Sequence, residues 1–363
     1  MTNLSKPQEG PAFEFARNMG IGINIGNTLD AIKNLASDTP AGETGWGNPP
    51  VTREFIRALK NYGYTTIRLP VTWAEYIGPA PDFQIARERM DRVEEAVNWI
   101  LDEDLYCILN LHHDVGKSPK SWILNAAHDL RGVKEKFAAV WKQIAARFCG
   151  ASNKLILESM NEIGFDDLWD RHNPDVNDKK PRAFGILNEL NQDFVDTVRG
   201  SGGGNASRFL LISGYWTDID LSCDALFKMP QDILEDRLLL SVHYYTPAGF
   251  CILNKDASWG KNQIDWGSRE DYAQLFEQFD KIKRHFIDRG VPVILGEYGV
   301  SSGETKVRAA RTRWIAAVTQ ACLDNGVCPV FWDTGNDIKR SPLNNYAMSG
   351  ALKDALALIK VKK

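Results

Sequence analysis

The chain has 363 residues, of which 44% are hydrophobic and 25% charged, and its formal net charge at pH 7 is −4. These values are typical of a globular protein, and no low-complexity segment interrupts the chain. The slightly acidic balance gives no reason to expect nucleic acid or an anionic membrane as a partner, and no apolar stretch reaches the length that spans a bilayer.

Eight short apolar or β-branched runs along the chain predict eight β-strands. They are Ile21–Ile25, Thr65–Leu69, Tyr106–Leu111, Leu155–Leu157, Phe209–Ile212, Leu238–Val242, Pro292–Leu295 and Val327–Trp332. Longer amphipathic segments alternate with these runs, and their apolar spacing predicts helices. These segments are Arg87–Glu103, Val133–Phe148, Phe184–Val198, Tyr272–Phe286 and Arg308–Leu323.

This alternation predicts an α/β fold, a parallel (β/α)8 TIM barrel in a single domain. A doubly wound open sheet is the structural alternative, but the count of eight strands favours the barrel, and no glycine-rich phosphate loop follows the first strand. We expect the barrel strands within residues 20–333, a lead-in at 1–19, and a C-terminal helix and tail at 334–363. The polar segment Ile163–Arg182 follows the fourth strand, where it either walls a cleft or forms a solvated insertion.

Polar and aromatic side chains follow nearly every predicted strand. In a barrel of this kind the site is built at the C-terminal ends of the strands, so these residues are the candidates for function. In chain order they are Asn24, Asn27 and Asp30; Arg68; His112, His113 and Asp114; Asn161 and Glu162; Tyr215 and Trp216; His243, Tyr244 and Tyr245; Glu297 and Tyr298; and Trp332 and Asp333. A structural core alone does not require this clustering.

Two glutamates are the most informative of these residues, because Glu162 and Glu297 each end an apolar run short enough to be a buried strand. Burying a lone charge is costly, so the pattern predicts that the two carboxylates meet at one site. Paired carboxylates are the working groups of glycoside hydrolysis. If Arg68 faces Glu297, its positive charge is expected to keep that carboxyl ionised.

Several candidates have a structural interpretation beside the functional one. The run His112, His113 and Asp114 suggests a metal site, but neighbouring strand residues point to opposite faces, so we predict no metal and no cofactor. Tyr245 either packs in the core or donates a hydrogen bond to the nucleophile, and Trp332 either caps the barrel or lies under a sugar ring. The six cysteines show no metal-type spacing, and their pairing stays open.

These residues, in this order, resemble glycoside hydrolase family 5 of clan A, from about Gly20 to Trp332. The resemblance is carried by Asn161-Glu162, Glu297, Arg68, the His112-His113 pair, His243-Tyr244-Tyr245 and Trp332. The segments 24–30, 45–49 and 243–247 look like its subfamily 4, which contains endo-β-1,4-glucanases with members acting on xyloglucan, lichenan or xylan. One departure is Leu157, where family members often carry Phe before the residue equivalent to Glu158, which we interpret as structural.

The resemblance implies a retaining endo-β-1,4-glucanase in which Glu162 is the general acid/base and Glu297 the nucleophile, with carboxyl groups about 5–5.5 Å apart. The implied substrate-binding residues are Asn27, Arg68, His112, His113, Asn161, His243, Tyr245 and Trp332. Among them, Asn161 is expected to bind the sugar 2-OH, Arg68 and Tyr245 to hold Glu297, and Trp332 to stack under a sugar.

Other functions stay open at this stage. The same scaffold suits a xyloglucan-specific or broad-specificity endoglucanase, and a non-catalytic polysaccharide-binding barrel is the alternative from another class, although such proteins usually lose one of the carboxylates. The expected partner is a β-glucan polysaccharide or oligosaccharide, with no nucleic acid and no membrane, and a monomer is expected. Polymer degradation favours a secreted, extracellular protein, with a periplasmic location also open, although residues 1–10 contain no signal-peptide pattern.

Overall fold

The computed structural model describes residues 9–33, 39–115, 121–173, 179–303 and 305–360. Eight parallel strands pair in chain order, and the first pairs with the last, which closes the sheet into a barrel. The strands are β1 Gly22–Ile25, β2 Thr66–Leu69, β3 Tyr106–Asn110, β4 Leu155–Glu158, β5 Leu210–Asp218, β6 Leu238–Tyr244, β7 Val293–Tyr298 and β8 Cys328–Asp333. The predicted (β/α)8 barrel is confirmed, and the open doubly wound sheet is wrong.

Helices lie around the barrel and at its ends. They are α1 Pro11–Asn18, α2 Arg53–Asn61, α3 Arg87–Asp102, α4 Leu130–Arg147, α5 Lys180–Gly200, α6 Ile219–Ser222, α7 Ala248–Cys251, α8 Arg269–His285, α9 Arg308–Asp324 and α10 Gly350–Leu358. The five amphipathic segments correspond to α3, α4, α5, α8 and α9. Helix α8 begins before its apolar pattern does, because Ser268 and Asp271 form a reciprocal capping box at its first turn.

Helix α1 was not predicted, and its position explains why an eight-residue helix forms there. Ala16 and Met19 at its end pack against inward-facing strand residues such as Ile108, Ile156 and Leu239. This contact closes the N-terminal end of the barrel with apolar side chains. The larger apolar cluster lies outside the strands, between them and the helices.

Strand alternation brings charged residues into the barrel interior at its other end. On β4, Leu155 and Leu157 belong to the outer cluster and Ile156 to the inner one, so Glu158 also points inward. Arg68 on β2 is likewise fully buried. The interior is therefore apolar toward the strand starts and polar toward the strand ends.

The described part of the segment after β4 forms a packed wall. Phe165 and Leu168 are buried, and the hydroxyl of Tyr215 on β5 accepts a hydrogen bond from the Phe165 main-chain N–H at 2.9 Å. Strand β5 continues to Asp218 through a register shift against β6. The interpretation of this segment as a solvated insertion is therefore wrong for residues 163–170, whereas residues 171–173 are exposed. Residues 174–178 lie outside the described part of the chain.

None of the helices that the structure describes is long and apolar enough to cross a membrane. The six cysteines, all within the described ranges, are free thiols. Four of them, Cys107, Cys251, Cys322 and Cys328, are buried, where they act as small apolar side chains.

Candidate active site

Arg68 lies at the centre of the polar end of the barrel. Its Nη1 donates to Glu297 Oε1 at 2.6 Å and its Nε to Glu158 Oε2 at 2.7 Å. Its Nη2 donates to Asn161 Oδ1 at 2.9 Å, and Nη1 also reaches Asn24 Oδ1 at 3.0 Å. Because Arg68 is fully buried, it holds carboxylates and amides in place and does not face the cleft.

Glu162 and Glu297 meet at the mouth of the barrel. Glu297 lies on β7 and Glu162 follows β4, and a carboxylate oxygen of one lies within 4.8 Å of an oxygen of the other. Glycosidases that retain configuration have carboxyl groups about 5–5.5 Å apart, whereas inverting enzymes need about 6.5–9.5 Å. The Glu162 side chain is 39% exposed and that of Glu297 6% exposed. Glu162 therefore faces the cleft, and Glu297 lies at its floor.

His243 on β6 connects the two glutamates. Its Nδ1 lies 2.8 Å from Glu162 Oε1 and 3.7 Å from Glu297 Oε2. Whichever of His243 and Glu162 carries the proton donates it in the shorter contact. His243, which the sequence predicted as a site residue, therefore lies next to both carboxyl groups.

The site shifts the pKa values of the two carboxyl groups in opposite directions. Burial raises the pKa of Glu297, against the opposing charges of His243 and Arg68, and the negative charge of Glu162 raises it further. Burial acts in the same direction on Glu162, but its hydrogen bond with His243 and the nearby positive charges leave its pKa lowered. Arg68 contacts Glu297 as expected, but burial outweighs its effect on the pKa. Groups this close titrate as a pair.

Tyr245 completes the support of Glu297. Its hydroxyl donates to Glu297 Oε2 at 2.9 Å, while Arg68 occupies Oε1. Burial, together with the charges of Glu297 and Glu162, raises the pKa of Tyr245 well above 10, so the hydroxyl stays a neutral donor at ordinary pH. Of the two interpretations of Tyr245, the structure shows the hydrogen bond to the glutamate.

His112 and Trp332 form an aromatic floor beside Glu297. Their rings are stacked, with centroids 5.6 Å apart and planes at 8°. Burial lowers the pKa of His112 far below 6.5, and its Nδ1 lies 3.2 Å from Asn110 Nδ2, so the neutral ring accepts there and keeps its proton on Nε2. A Cβ on Gly26 would lie 2.8 Å from the Trp332 ring, so only glycine allows this ring position.

The remaining sequence-predicted contacts differ in their positions. Asn161 and His113 line the cleft together with His112 and Trp332. The Asn161 amide oxygen accepts from Arg68, which leaves its NH2 group for a ligand. Asn27 is not among the described residues that line the cleft; its main-chain carbonyl accepts from Asn48 Nδ2 at 2.9 Å. Its role in substrate binding stays a prediction.

The cleft extends on both sides of Glu162. One half, of about 520 Å³, is walled by the segment after β4 and the end of β5, and the other, of about 470 Å³, contains Glu297 and Trp332. Both halves share Glu162, Tyr245 and Ile252. The first half is lined by Asp166, Trp169, Asp170, Arg171, His172 and Trp216 among others. A chain can therefore extend past the carboxylate pair in both directions.

Sequence reasoning missed some of these residues. Ile252 is 50% exposed in the cleft, and no pattern marks it. Ser241 donates to Glu158 Oε1 at 2.7 Å, and only the inward position of Glu158 on its strand could have suggested a buried partner. Asn24 was a candidate without a role; its amide NH2 donates to the Gly296 carbonyl at 2.9 Å, directly before Glu297.

The metal site suggested by His112, His113 and Asp114 is not assembled, because Asp114 is engaged elsewhere. Its oxygens accept from the Trp73 main-chain N–H at 2.9 Å and Trp122 Nε1 at 2.8 Å. Asp30 lies close to both histidines instead, but its oxygens accept main-chain N–H groups of residues 27 and 28 at 3.0 and 2.7 Å. These carboxylates serve as structural acceptors in the loops.

The fold and the paired carboxylates define a glycoside hydrolase barrel, and comparison with known proteins agrees. The sequence profile of Cellulase (glycosyl hydrolase family 5) matches residues 30–338. Endoglucanase A of Paenibacillus barcinonensis is 35% identical over 345 residues, covering 89% of this chain and 82% of that protein. A xyloglucan-specific endo-beta-1,4-glucanase of Bacteroides ovatus is 33% identical, covering 87% of this chain and 64% of that protein.

Solved structures show the same likeness. A GH5-4 broad specificity endoglucanase from Ruminococcus champanellensis with bound cellotriose superposes with a TM-score of 0.84 at 29% identity, covering 96% of this chain and 98% of the other. The chain therefore belongs to glycosyl hydrolase family 5. It is a glycoside hydrolase of the endoglucanase type.

Proposed function

We propose that the protein is a retaining endo-β-1,4-glucanase that cleaves β-glucans by double displacement, with Glu297 as nucleophile and Glu162 as general acid/base. The observation that carries this proposal is the asymmetry of the pair. Glu297 is buried and both its oxygens accept hydrogen bonds from Arg68 and Tyr245, whereas Glu162 faces the cleft less than 5 Å away. A carboxylate fixed by two hydrogen bonds is well placed to attack one carbon atom. An exposed carboxyl can transfer a proton to the glycosidic oxygen of a bound substrate.

In the first step a Glu297 oxygen attacks the anomeric carbon, and the bond from that carbon to the glycosidic oxygen breaks. Glu162 gives its proton to the departing oxygen, so the leaving chain departs as a neutral alcohol. The product is a glycosyl ester on Glu297, with Glu162 as a carboxylate. The NH2 group of Asn161 is placed to donate to the sugar 2-OH, a contact that strengthens in the transition state.

In the second step Glu162 takes a proton from water, whose oxygen attacks the same carbon from the face that the leaving chain vacated. The ester bond breaks and Glu297 departs as a carboxylate, again beside Arg68 and Tyr245. Two inversions restore the original configuration, and Glu162 regains its proton for the next cycle.

The proton of the pair must lie on Glu162 when the glycosidic oxygen arrives. In the free site, burial leaves the pKa of Glu297 raised, whereas His243 and the nearby positive charges leave that of Glu162 lowered against the effect of burial. A bound sugar would cover the exposed part of Glu162, which disfavours the charged form of that carboxyl, while Arg68 and Tyr245 continue to donate to Glu297. Substrate binding is therefore expected to raise the pKa of Glu162 relative to that of Glu297, which favours the protonated acid and the ionised nucleophile.

Endo action is supported by a cleft that is open on both sides of Glu162. Trp332 and His112 provide the stacking surface on the side of Glu297, and Trp216 lines the other side. Cellotriose bound to the Ruminococcus champanellensis relative supports an unbranched β-1,4-glucan chain as ligand. The Bacteroides ovatus relative favours xyloglucan as the second candidate, and the retention of both carboxylates argues against a non-catalytic binding barrel.

We also propose that the protein acts as a secreted monomer, outside the cell or in the periplasm, because an insoluble or polymeric glucan does not enter the cytoplasm. Size-exclusion chromatography with light scattering tests the monomer, and expression of the full natural reading frame with fractionation of the culture tests the location.

Reducing-end release from carboxymethyl-cellulose, xyloglucan, mixed-linkage β-glucan, xylan and mannan tests the activity. Fast release from unbranched glucans with a spread of oligomers supports the endoglucanase, and a strong preference for xyloglucan supports the second candidate. No release from any of the five would overturn the proposal. The same assay with a chelator tests whether the histidine pair His112-His113 serves a metal-dependent hydrolase. Such an enzyme would lose activity, and we expect the activity to be unchanged.

A further inference from the structure

A third carboxylate lies beneath the proposed catalytic pair. Glu158 ends β4 and is fully buried. Its Oε2 accepts from Arg68 Nε at 2.7 Å, and its Oε1 accepts from Ser241 Oγ at 2.7 Å. It is not among the described residues that line the cleft, so any part it takes in the reaction passes through Arg68.

We propose that Glu158 is a positioning residue that acts as the permanent counter-ion of Arg68 through the catalytic cycle. The inference rests on the proposed function, because it concerns the charge of Glu297. That charge is present before attack, is lost when the ester bond to the sugar forms, and returns when the ester is hydrolysed. Glu158 forms no bond with the sugar, so its charge beside Arg68 stays constant.

The physical reason is the cost of a buried cation without a partner. Arg68 is fully buried and contacts two carboxylates. If Glu297 were its only counter-ion, forming the glycosyl-enzyme would leave the guanidinium unpaired inside the barrel. Since Glu158 remains paired with Arg68, the ester forms without that penalty.

The charged and titratable groups around the pair make the expected direction clear. Glu297 is faced by Arg68 from β2, Glu162 after β4, and His243 and Tyr245 from β6 and the loop after it. Asn24 and Asn161, the other contacts of Arg68, are neutral. Glu158 faces Arg68 and the neutral Ser241. The charge of Arg68 also acts on Glu162 and on His112 of β3, but its ion pairs are with Glu158 and Glu297. Removing the charge of Glu158 therefore strengthens the attraction of Arg68 for Glu297.

The variant Glu158→Gln keeps the shape of the side chain and removes its charge. Transient kinetics on 2,4-dinitrophenyl β-cellobioside separates formation of the glycosyl-enzyme from its hydrolysis. We expect formation to slow by about tenfold, the equivalent of one pKa unit in the stabilisation of free Glu297. Hydrolysis should be unchanged or faster, because Glu297 then leaves as a carboxylate beside an unshared cation. The acidic limb of kcat/KM should move about one pH unit lower.

Ser241→Ala is the matched control, because it removes a buried hydrogen bond from the same carboxylate without changing its charge. We expect it to keep the wild-type ratio of the two rates and the wild-type acidic limb. If Glu158→Gln and Ser241→Ala slow both steps equally and move no limb, Glu158 has only a structural role and the inference is overturned.

If Glu158→Gln does not fold, Glu158→Asp decides the question, because it keeps the charge but lengthens the contact with Arg68. A selective slowing of glycosyl-enzyme formation supports the inference, and an equal slowing of both steps contradicts it. The failure of the proposed function looks different: the wild-type protein itself would then form no glycosyl-enzyme from the aryl cellobioside.

Discussion

Replacing Tyr245 by Phe tests how the barrel holds its nucleophile. The change removes one hydroxyl, which donates to Glu297 Oε2 at 2.9 Å, and keeps the ring that packs beside it. The lost hydrogen bond stabilises the ionised form of Glu297, so its removal raises the pKa of that carboxyl. Since Glu297 must be ionised to attack, the acidic limb of the pH profile should move to higher pH.

The size of this shift follows from the type of bond. A hydrogen bond to a charged group contributes about 1.5–3 kcal/mol, and about 1.4 kcal/mol corresponds to one pKa unit. The acidic limb of kcat/KM should therefore rise by about one to two pH units. Burial holds the pKa of Tyr245 well above 10, so ionisation of the tyrosine itself does not contribute to this limb.

The assay is kcat/KM on an aryl β-cellobioside between acidic and neutral pH. Tyr298→Phe, at the end of β7 next to Glu297, is the matched control. It also removes one buried hydroxyl, which shares a 2.7 Å hydrogen bond with Thr319 Oγ1. The control should cost about 1 kcal/mol of folding free energy and leave the limb in place. A limb that stays fixed or moves to lower pH in Tyr245→Phe would refute the reasoning.

Three further predictions address other parts of the structure. Glu162→Ala should lose most activity on polysaccharide but form the glycosyl-enzyme from a dinitrophenyl glycoside at a near-normal rate, since that leaving group needs no proton; equal losses on both would contradict the assignment. In Gly164→Ala, the added Cβ would overlap the Trp216 indole and displace it. Binding of longer oligosaccharides should therefore weaken, which is measured as a rise in KM. An unchanged KM would show that Trp216 does not contact substrate. Arg208→Ala removes the donor to four main-chain carbonyls. It should lower the free energy of unfolding by at least about 3 kcal/mol, measured by denaturant unfolding. The acidic limb of kcat/KM should stay in place, measured as a pH profile.

The fold was largely predictable because parallel strands buried on both faces read as short apolar runs. The alternation of Leu155, Ile156 and Leu157 between outer and inner clusters leaves no polar position before Glu158. Helix α1 was not predicted because its eight residues form only about two turns, which is too short for a clear helical period. Packing of Ala16 and Met19 against the barrel interior stabilises it. The continuation of β5 to Asp218 was not predicted, because Trp216 and Thr217 adopt φ values of 53° and 49°, which their residue types do not favour.

The sequence predicted which residues form the site better than it predicted the hydrogen bonds between them. A barrel gathers strand ends at one face, so residues such as Glu162 and Glu297 could be placed together from their positions after strands. Which groups contact Arg68 depends on the register of several strands across the barrel interior. The sequence of any one strand does not determine that register. The link from Glu158 to Ser241, 83 residues apart, therefore needed the structure.

The central claim is that Glu297 becomes covalently attached to the sugar. The most direct test is incubation with a 2-deoxy-2-fluoro-β-cellobioside that carries a good leaving group, followed by mass spectrometry of the intact protein and its peptides. We expect loss of activity with the addition of one fluorocellobiosyl group, located on Glu297. A label on Glu162 or another residue, or turnover of unmodified substrates by a protein that never acquires a label, would contradict it.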